Sequence, residues 1–393
     1  MRIVNVLEAA VPLSRYADPA IASGDLDTSV VAVITDVIRG GRPVVGLGYG
    51  SVGRYAQGGL IRARFAPRLL QAPDGACADA STGNLDPALA WRAMMAGEKP
   101  GGHGERCVAV GALDMAIWDA AAKIADEPLC RHIARRRAGA APPARVPVYA
   151  GGGYLYPRDD EARLADEARA CVALGFNRIK IKIGGADLDA DRRRIETVLA
   201  RLPTDAGLAV DAMNAYGPGS AQAAARALSG YGLWWFEDIC DPLDFETLAD
   251  VAASYPSPIA AGEALFSPQE ARLLARHGGL RPDRDVLVFD PAHCYGLTAY
   301  VRIVEEFLAR GWPARAFWPH GGHLFGLHVA AGLGLGGAEL NPFAFQPFSG
   351  MAEGGRIVDG MADLPQAPGI GFEAHVGVAA LLRRVFPELR LGL

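Results

Sequence analysis

The chain has 393 residues, of which 50% are hydrophobic and 21% are charged, and its formal net charge is −5. This composition is typical of a globular protein with a large core, most simply divided into two domains. Because the negative charge is mild and no run of Lys and Arg alternates with aromatic residues, nucleic acid is not an expected partner, and a small molecule is.

The N-terminus and the cysteines favour a cytoplasmic protein. The stretch MRIVNVLEAAVPLS has Glu8 within its apolar part, which indicates a first strand and not a signal peptide. No stretch is long enough to span a membrane. The six cysteines are scattered, without C-x-x-C pairs or zinc-type spacing. We therefore expect reduced thiols, no disulfides and no membrane partner.

The first 140 residues mix strand-like and helical segments. The patterns predict strands over 2–8, 30–38 and 43–49 and helices near 59–71, 86–97 and 106–125. Strands followed by helices are typical of an α+β domain. Pro142, Pro143 and Pro147 then mark a linker into a new part of the chain.

Beyond the linker, short strands alternate with longer amphipathic helices. Strands are predicted over 146–150, 177–183, 207–212, 233–238, 258–263, 285–290 and 315–320 and near Leu340. Eight strands with intervening helices predict a (β/α) barrel.

The second of these strands reads RIKIKIGG, in which three cations alternate with three isoleucines. For an isolated strand this pattern favours a charged face turned to water. In a closed parallel barrel, however, the outward face packs on helices, so the isoleucines belong outside and the cations inside. Lys180 and Lys182 then lie at the C-terminal end of the strand, where such barrels carry their active sites.

The next three strands each end in an acid: Asp211, Glu237 and Glu263. A single acid at such a junction is often a helix N-cap, but three at one height would repel one another. A divalent cation is the natural compensation, and all-oxygen ligation suits Mg²⁺, with Mn²⁺ as a substitute. Asp238 is a weaker ligand candidate because strand alternation would turn it to the opposite face.

Strands six and seven end with Asp290 and His320. Adjacent strands can bring the carboxylate against the imidazole, which would define the tautomer of His320 and raise its pKa. His323 and His328, on the following helix, are expected to be hydrogen-bonded structural residues.

As a set, these residues resemble the enolase superfamily, in its mandelate racemase-like branch. The resemblance covers nearly the whole chain and implies an α/β fold: a modified (β/α)8 barrel of (β/α)7β type over 141–365, an α+β N-terminal capping domain over 1–140, and a C-terminal segment over 366–393 that packs back on the cap. It also implies the catalytic set. Asp211, Glu237 and Glu263 are the expected Mg²⁺ ligands, Lys182 one acid–base residue, His320 with Asp290 the other, and Lys180 an electrostatic partner.

Longer stretches are similar to the D-tartrate dehydratase subgroup of that branch, among them GRYAQGGLIRARF, EKPGGHGERCVAVGALDMAIWDA and PHGGH. The resemblance implies that Lys99 reaches from the cap toward the substrate and that Glu339 and Asn214 also bind it. The alternative for Lys99 is an exposed lysine on a Gly-rich loop.

Three positions depart from the subgroup. Gly50 and Val52 stand where asparagines are expected in a cap loop, and Met213 interrupts an Asp-Ala-Asn pattern at the end of strand three. The reaction class is therefore better defined than the substrate.

The resemblance implies an enzyme that dehydrates a hydroxylated diacid or sugar acid, with D-tartrate to oxaloacetate as the best single candidate. To act as the base, Lys182 has to be partly neutral, and Lys180 and a bound cation both favour that form. The alternatives are a racemase or epimerase of an α-hydroxy acid and a non-catalytic binding protein of the same fold. A homo-oligomer is expected in either case.

Overall fold

The structure is a computed structural model that describes residues 1–18, 20–52, 55–351 and 354–389. Its N-terminal part is a three-stranded antiparallel sheet, β1-β2-β3, covered by helices. The strands are β1 (Ile3–Pro12), β2 (Asp27–Arg39) and β3 (Arg42–Tyr49). The helices are α1 (Gly58–Leu60), α2 (Ala66–Leu70), α3 (Pro87–Met95), α4 (Glu105–Ile124) and α5 (Leu129–Arg136), with a π-helical turn over Ile61–Phe65. All predicted segments of this part occur, whereas α5 was not predicted.

Helix α4 lies directly on the sheet because β3 carries glycines beneath it. A Cβ atom added to Gly46 would lie 1.9 Å from the carbonyl oxygen of Ala116, and one on Gly48 would lie 2.3 Å from that of Ala112. Only glycine permits so close an approach of strand and helix backbones. Most of α4 is buried as a result.

The second part is the barrel. Six parallel strands follow one another in chain order, and a later strand, β10, pairs with β4 in parallel and closes the ring. The strands are β4 (Arg145–Gly151), β5 (Arg178–Lys182), β6 (Gly207–Asp211), β7 (Trp235–Glu237), β8 (Ile259–Ala261), β9 (Val286–Leu287) and β10 (Ala338–Leu340). The helices between them are α6 (Asp160–Ala173), α7 (Leu188–Leu199), α8 (Pro218–Leu228), α9 (Phe245–Ser254), α10 (Pro268–His277), α11 (Leu297–Ala309) and α12 (Leu324–Leu333). This is the predicted (β/α)7β arrangement.

The seventh strand position differs from the prediction. The segment predicted as a strand over 315–320 forms only one isolated parallel bridge, between Leu287 and Phe317. Proline cannot donate a ladder hydrogen bond, and Pro313 precedes this short segment while Pro319 lies within it. The segment still occupies the place between β9 and β10, so the barrel stays closed.

The cations of β5 point into the barrel, as predicted. Lys180 and Lys182 are buried and contact acids of the neighbouring strands, while the Arg178 guanidinium lies 4.9 Å from the centroid of the Trp234 ring. Ile179 and Ile181 pack outward into the main hydrophobic core. The prediction that the lysines of RIKIKIGG lie inside the barrel is therefore confirmed, and the alternative of a charged face turned to water is wrong.

The C-terminal part begins with a hairpin, β11 (Ile357–Val358) and β12 (Met361–Asp363), and ends in α13 (Val376–Val385). Between them, the N–H of Ile370 donates to Asp119 of α4 at 2.6 Å, and the N–H of Leu129 donates to the carbonyl of Gly369 at 2.8 Å. This segment thus contacts helices of the N-terminal part. The domain limits at 140 and 365 stay predictions, and residues 390–393 of the last predicted segment, like Arg54 of the GRYAQGGLIRARF stretch, lie outside the described residues.

All six cysteines are buried and unpaired. Among the described helices, none combines the length and the apolar character that crossing a membrane requires.

His328 is a structural histidine, as expected, and links three segments of the chain. Its Nδ1 accepts the N–H of Cys130 at 3.1 Å, so Nε2 carries the proton and donates to the carbonyl of Ile370 at 3.1 Å. Burial lowers the pKa of His328 to about 4. The folded state therefore holds this side chain neutral at pH values where the unfolded chain would bind a proton.

Stability should consequently fall with acidification in a His328-dependent way. The ordinary pKa of about 6.5 lies above the folded value, so this contribution is complete above pH 6.5 and is lost as the pH falls toward 4. Between pH 7 and pH 5 the loss should be about 2 kcal/mol of unfolding free energy. Urea unfolding at both pH values should show a smaller difference in His328→Gln, while His277→Gln, at an exposed site, should match the parent. An unchanged pH difference in His328→Gln would contradict this account.

Candidate active site

Three carboxylates meet at the C-terminal end of the barrel strands. Asp211 ends β6 and Glu237 ends β7, in direct register with each other and with Lys182 of β5. Glu263 follows β8. Carboxylate oxygens of Asp211, Glu237 and Glu263 all lie within 4.8 Å of one another. The structure therefore brings together the three acids that the sequence places at strand ends.

This cluster fits a divalent cation. Burial raises the pKa of Glu237 to about 7, and the charges of Asp211 and Glu263 add to the effect. Such mutual repulsion is what a shared cation relieves, and a donor set made only of carboxylate oxygens is the kind that Mg²⁺ prefers.

A fourth carboxylate, Asp238, lies at the same site, against expectation. Strand β7 ends at Glu237, and Asp238 has φ +44°, so the alternation that would turn it outward has already ended. Burial and the charges of Glu263 and Asp211 raise the pKa of Asp238 well above its usual value. Its side chain lines the active-site cavity, and the sequence prediction of its direction was wrong.

The two lysines of β5 share Asp211, from which Lys180 Nζ lies 3.8 Å, but each has a different nearest acid. Lys182 forms an ion pair with Asp211, and Lys180 lies 2.5 Å from Glu237 Oε1 and 3.6 Å from Glu339 Oε1. Burial, the largest single cause, and Lys180 favour the neutral form of Lys182, but Asp211, Tyr154 and Glu263 together outweigh them, and the pKa of Lys182 is raised. Lys180 therefore lowers the pKa of Lys182, as expected, but other groups have larger effects on this pKa.

His320 and Asp290 form the predicted dyad. The Nδ1 of His320 lies 2.9 Å from Asp290 Oδ2, and its Nε2 lies 3.3 Å from Glu263 Oε1. Although burial opposes the charged form, Glu263 and Asp290 raise the pKa of His320 to about 9. The imidazole therefore carries its proton at neutral pH and turns Nε2 toward the carboxylate cluster.

A residue that sequence reasoning missed also supports the dyad. Ser51, in the loop after β3, donates from Oγ to Asp290 Oδ2 at 2.7 Å. It stands between Gly50 and Val52, the two positions that depart from the subgroup. No local pattern could have paired it with an acid 239 positions further along the chain.

Glu339 of β10 lies beside Lys180 and His320. Its carboxylate accepts the N–H of Gly321 at 3.0 Å and approaches His320 Nε2 to 3.9 Å. Gly151 of β4 makes room for it, because an added Cβ would lie 2.0 Å from Glu339 Oε1. Despite burial, Lys180 and His320 lower the pKa of Glu339, which keeps it charged.

A cavity of about 220 Å³ opens over the cluster. Its lining combines predicted and unpredicted residues: Arg15, Leu26, Tyr154, Lys182, Asp211, Met213, Asn214, Asp238, Glu263 and Phe345. Asn214 was a predicted substrate-binding residue, and its buried Oδ1 has no hydrogen-bond partner among the described residues. Arg15 and Tyr154 were not predicted.

Lys99 lies elsewhere. Its exposed side chain lines a separate cavity of about 230 Å³ together with Trp91, Arg106 and Arg302. The structure does not bring Lys99 together with the residues that line the cavity over the carboxylates, and its proposed contact with the substrate stays a prediction.

Comparison with known proteins identifies the family. The family model described as "Enolase C-terminal domain-like" matches residues 163–377, more than half of the chain. The chain belongs to the enolase superfamily. The family match covers all three carboxylates as well as Lys182, Asp290 and His320.

Two relatives and one solved structure show which proteins the chain is similar to. The chain is 28% identical to arabinonate dehydratase from Saccharolobus solfataricus, over 71% of this chain and 73% of that protein. It is 30% identical to 3,6-anhydro-alpha-L-galactonate cycloisomerase from Streptomyces coelicolor, with 72% of each chain covered. Among solved structures, L-talarate dehydratase from Polaromonas sp. JS666, complexed with Mg and L-glucarate, superposes with a TM-score of 0.72 at 25% identity and 94% coverage of both chains. The chain is thus similar to enzymes that act on sugar acids and their derivatives.

Proposed function

We propose that this member of the enolase superfamily is a Mg²⁺-dependent dehydratase of a hydroxylated diacid or sugar acid, with D-tartrate to oxaloacetate as the best single candidate. One observation carries the proposal. Two proton-transfer groups bracket the carboxylate cluster, since Lys182 pairs with Asp211 at one end and His320 contacts Glu263 at the other. A base and an acid on the same substrate carbon skeleton are what removal of an α-proton and a β-hydroxyl requires.

Asp211, Glu237 and Glu263 are the proposed ligands of the metal ion. When bound there, Mg²⁺ would neutralise the negative charge that grows on the substrate carboxylate as its α-proton leaves. Enolase-superfamily sites of this kind, with a Lys or His base beside Mg²⁺, are a known pattern. Mn²⁺ could take the same oxygen ligands.

Lys182 is the proposed base. Burial and the neighbouring Lys180 already favour its neutral amine, and Asp211 is the largest of the charges that oppose it. Sharing the Asp211 charge with a cation would weaken that opposition, so Nζ could then accept the α-proton. Lys180 lies between Glu237 and Glu339, and its proposed role is that of an electrostatic partner of Lys182.

His320 is the proposed acid. In the metal-free site the pKa of His320 is raised to about 9, and Asp290, which is not a proposed metal ligand, contributes to that rise, so Nε2 can deliver a proton to the departing β-hydroxyl. Asp290 accepts the Nδ1–H and stabilises the cationic form. Lys182 takes the α-proton, and the β-hydroxyl leaves as water with the proton from His320, so the substrate loses one water in total. The enol product then becomes a 2-keto acid.

Ser51 should support this step through Asp290. Replacing it by glycine removes the hydroxyl and suits its left-handed φ of +62°. A hydrogen bond to a charged group contributes about 1.5–3 kcal/mol, so turnover in Ser51→Gly should fall by about tenfold or more. Steady-state kinetics would measure the loss, and thermal unfolding would check that the fold is kept. Parent-like turnover in Ser51→Gly would show that Asp290 does not need this donor.

The proposed reaction is tested by the mass of the product. Purified protein with Mg²⁺ is offered a panel of hydroxy diacids and sugar acids, D-tartrate among them, and the products are analysed by mass spectrometry. Dehydration gives a product lighter by one water, whereas the alternative, racemisation or epimerisation, changes the chirality and not the mass. Absence of both with every compound would favour the third alternative, a binding protein. A homo-oligomer, expected from the sequence, stays a prediction.

A further inference from the structure

Arg15 places a positive charge on the wall of the active-site cavity that the N-terminal part supplies. It lies in the segment between β1 and β2 and is half-buried. Its guanidinium carbon is 5.5 Å from the centroid of the Tyr154 ring, and Lys182 Nζ is 5.3 Å from the same centroid. The cavity is therefore lined by acids and Lys182 of the barrel and also by a cation from the N-terminal part.

Apart from its approach to the Tyr154 ring, this guanidinium shows little engagement with the surrounding polar groups. Its Nε is buried without a hydrogen-bond partner, and no carboxylate among the described residues pairs with it. Other arginines of this region behave differently: Arg62 pairs with Glu8, and Arg163 lies 3.6 Å from Asp18. Leaving a buried donor unpaired costs free energy, and such groups in native proteins call for an explanation.

We propose that Arg15 binds the second carboxylate of a short dicarboxylate substrate whose first carboxylate lies at the acidic cluster. The proposal deepens the proposed function and rests on it. The planar fork of a guanidinium matches a carboxylate with two parallel hydrogen bonds, which a hydroxyl at the same place could not reproduce. The cavity, at about 220 Å³, lies below the range of about 300–1,000 Å³ usual for drug-sized ligands, which favours a short chain.

The charges of the cavity explain why such a cation matters. Asp238 and Glu263 line the same space, so a second carboxylate on the substrate would meet repulsion unless a cation received it. Arg15 thus separates diacids from monoacids of equal length. Lys99, predicted from the sequence to reach toward the substrate, lines a different cavity.

The test compares the binding of two unreactive probes in the presence of Mg²⁺. Succinate and γ-hydroxybutyrate have the same length and differ only in a terminal carboxylate or hydroxymethyl group. Calorimetric titration of the parent protein should show succinate bound at least about tenfold more tightly. In Arg15→Met this preference should disappear, and Arg15→Lys should keep part of it because a charge remains. Arg163→Met, at an arginine that does not line the cavity, should keep the full preference.

Several results would overturn the inference. They are a succinate preference that persists in Arg15→Met, no preference in the parent, or a preference lost in Lys99→Ala and kept in Arg15→Met. Thermal unfolding shows whether Arg15→Met is folded. If it is not, Arg15→Lys is the deciding variant. A succinate affinity in Arg15→Lys equal to that of the parent would contradict the contact by two hydrogen bonds. The proposed function is judged separately: if no hydroxy acid is dehydrated while the preference still depends on Arg15, the reaction fails and the dicarboxylate subsite stands.

Discussion

Replacing His320 by asparagine should stop product formation while exchange of the substrate's α-hydrogen with solvent continues. The variant keeps Lys182 and the three carboxylates, so the α-proton can still leave and return, but nothing protonates the departing hydroxyl. Loss of a general acid lowers product formation by about 10²- to 10⁴-fold. In D₂O, the recovered substrate should gain deuterium at the α-carbon, which NMR or mass spectrometry detects.

Lys182→Ala is the partner experiment. Without the base, neither product nor exchange is expected, although the dyad of His320 and Asp290 remains intact. His277→Asn, at an exposed histidine of α10, serves as the matched control and should behave as the parent. Exchange that survives only in Lys182→Ala would reverse the two roles. Near-normal product formation in both variants would remove these residues from the mechanism.

Removal of the metal ion should abolish turnover, and Mg²⁺ should restore it. The reason is the repulsion at the cluster. Burial and the charges of Asp211 and Glu263 raise the pKa of Glu237 to about 7, although Lys180 and Lys182 oppose the rise, and a bound cation would relieve this repulsion. Mn²⁺ should also restore activity. Dialysis against a chelator followed by titration of each ion is the measurement, and full activity after chelation would remove the core of the proposal.

The same cluster predicts the effect of neutralising one ligand. Glu263→Gln keeps the shape of the side chain but removes its charge, and Mg²⁺ affinity should fall by at least about 10- to 100-fold, a range known even for groups outside a ligand set. Calorimetric titration of Mg²⁺ into the protein measures this directly, without turnover. Asp205→Asn, at an exposed acid, is the control. Equal affinities in the two variants would show that Glu263 is not a ligand.

Much of the site could be read from local sequence periods. Strand alternation has a period of two, so RIKIKIGG alone orients Lys180 and Lys182 once the barrel is assumed. In a parallel barrel, residues at the C-terminal ends of successive strands share one level, which brings Asp211, Glu237 and Glu263 together without any knowledge of side-chain contacts. The pairing of Asp290 with His320 follows from the same rule.

The same rule fails where a strand stops. It placed Asp238 outside because it assumed that β7 continued past Glu237, but the left-handed backbone at φ +44° turns this carboxylate into the cavity. It also predicted a regular strand before His320, where prolines leave only a single bridge at Phe317. Strand ends are set by tertiary packing as much as by local pattern.

The sequence by itself therefore determined the barrel, the level of the three acids and the positions of Lys182 and His320 at the same end of the barrel, because these depend on periods of two and on strand order. Only the tertiary structure decided what the N-terminal part adds. Ser51 reaches Asp290, Arg15 lines the cavity, and Lys99 lines another one. These contacts join irregular loops to strand ends that are far apart in the chain, and no periodic pattern records such contacts, since they exist only after the two parts have packed together.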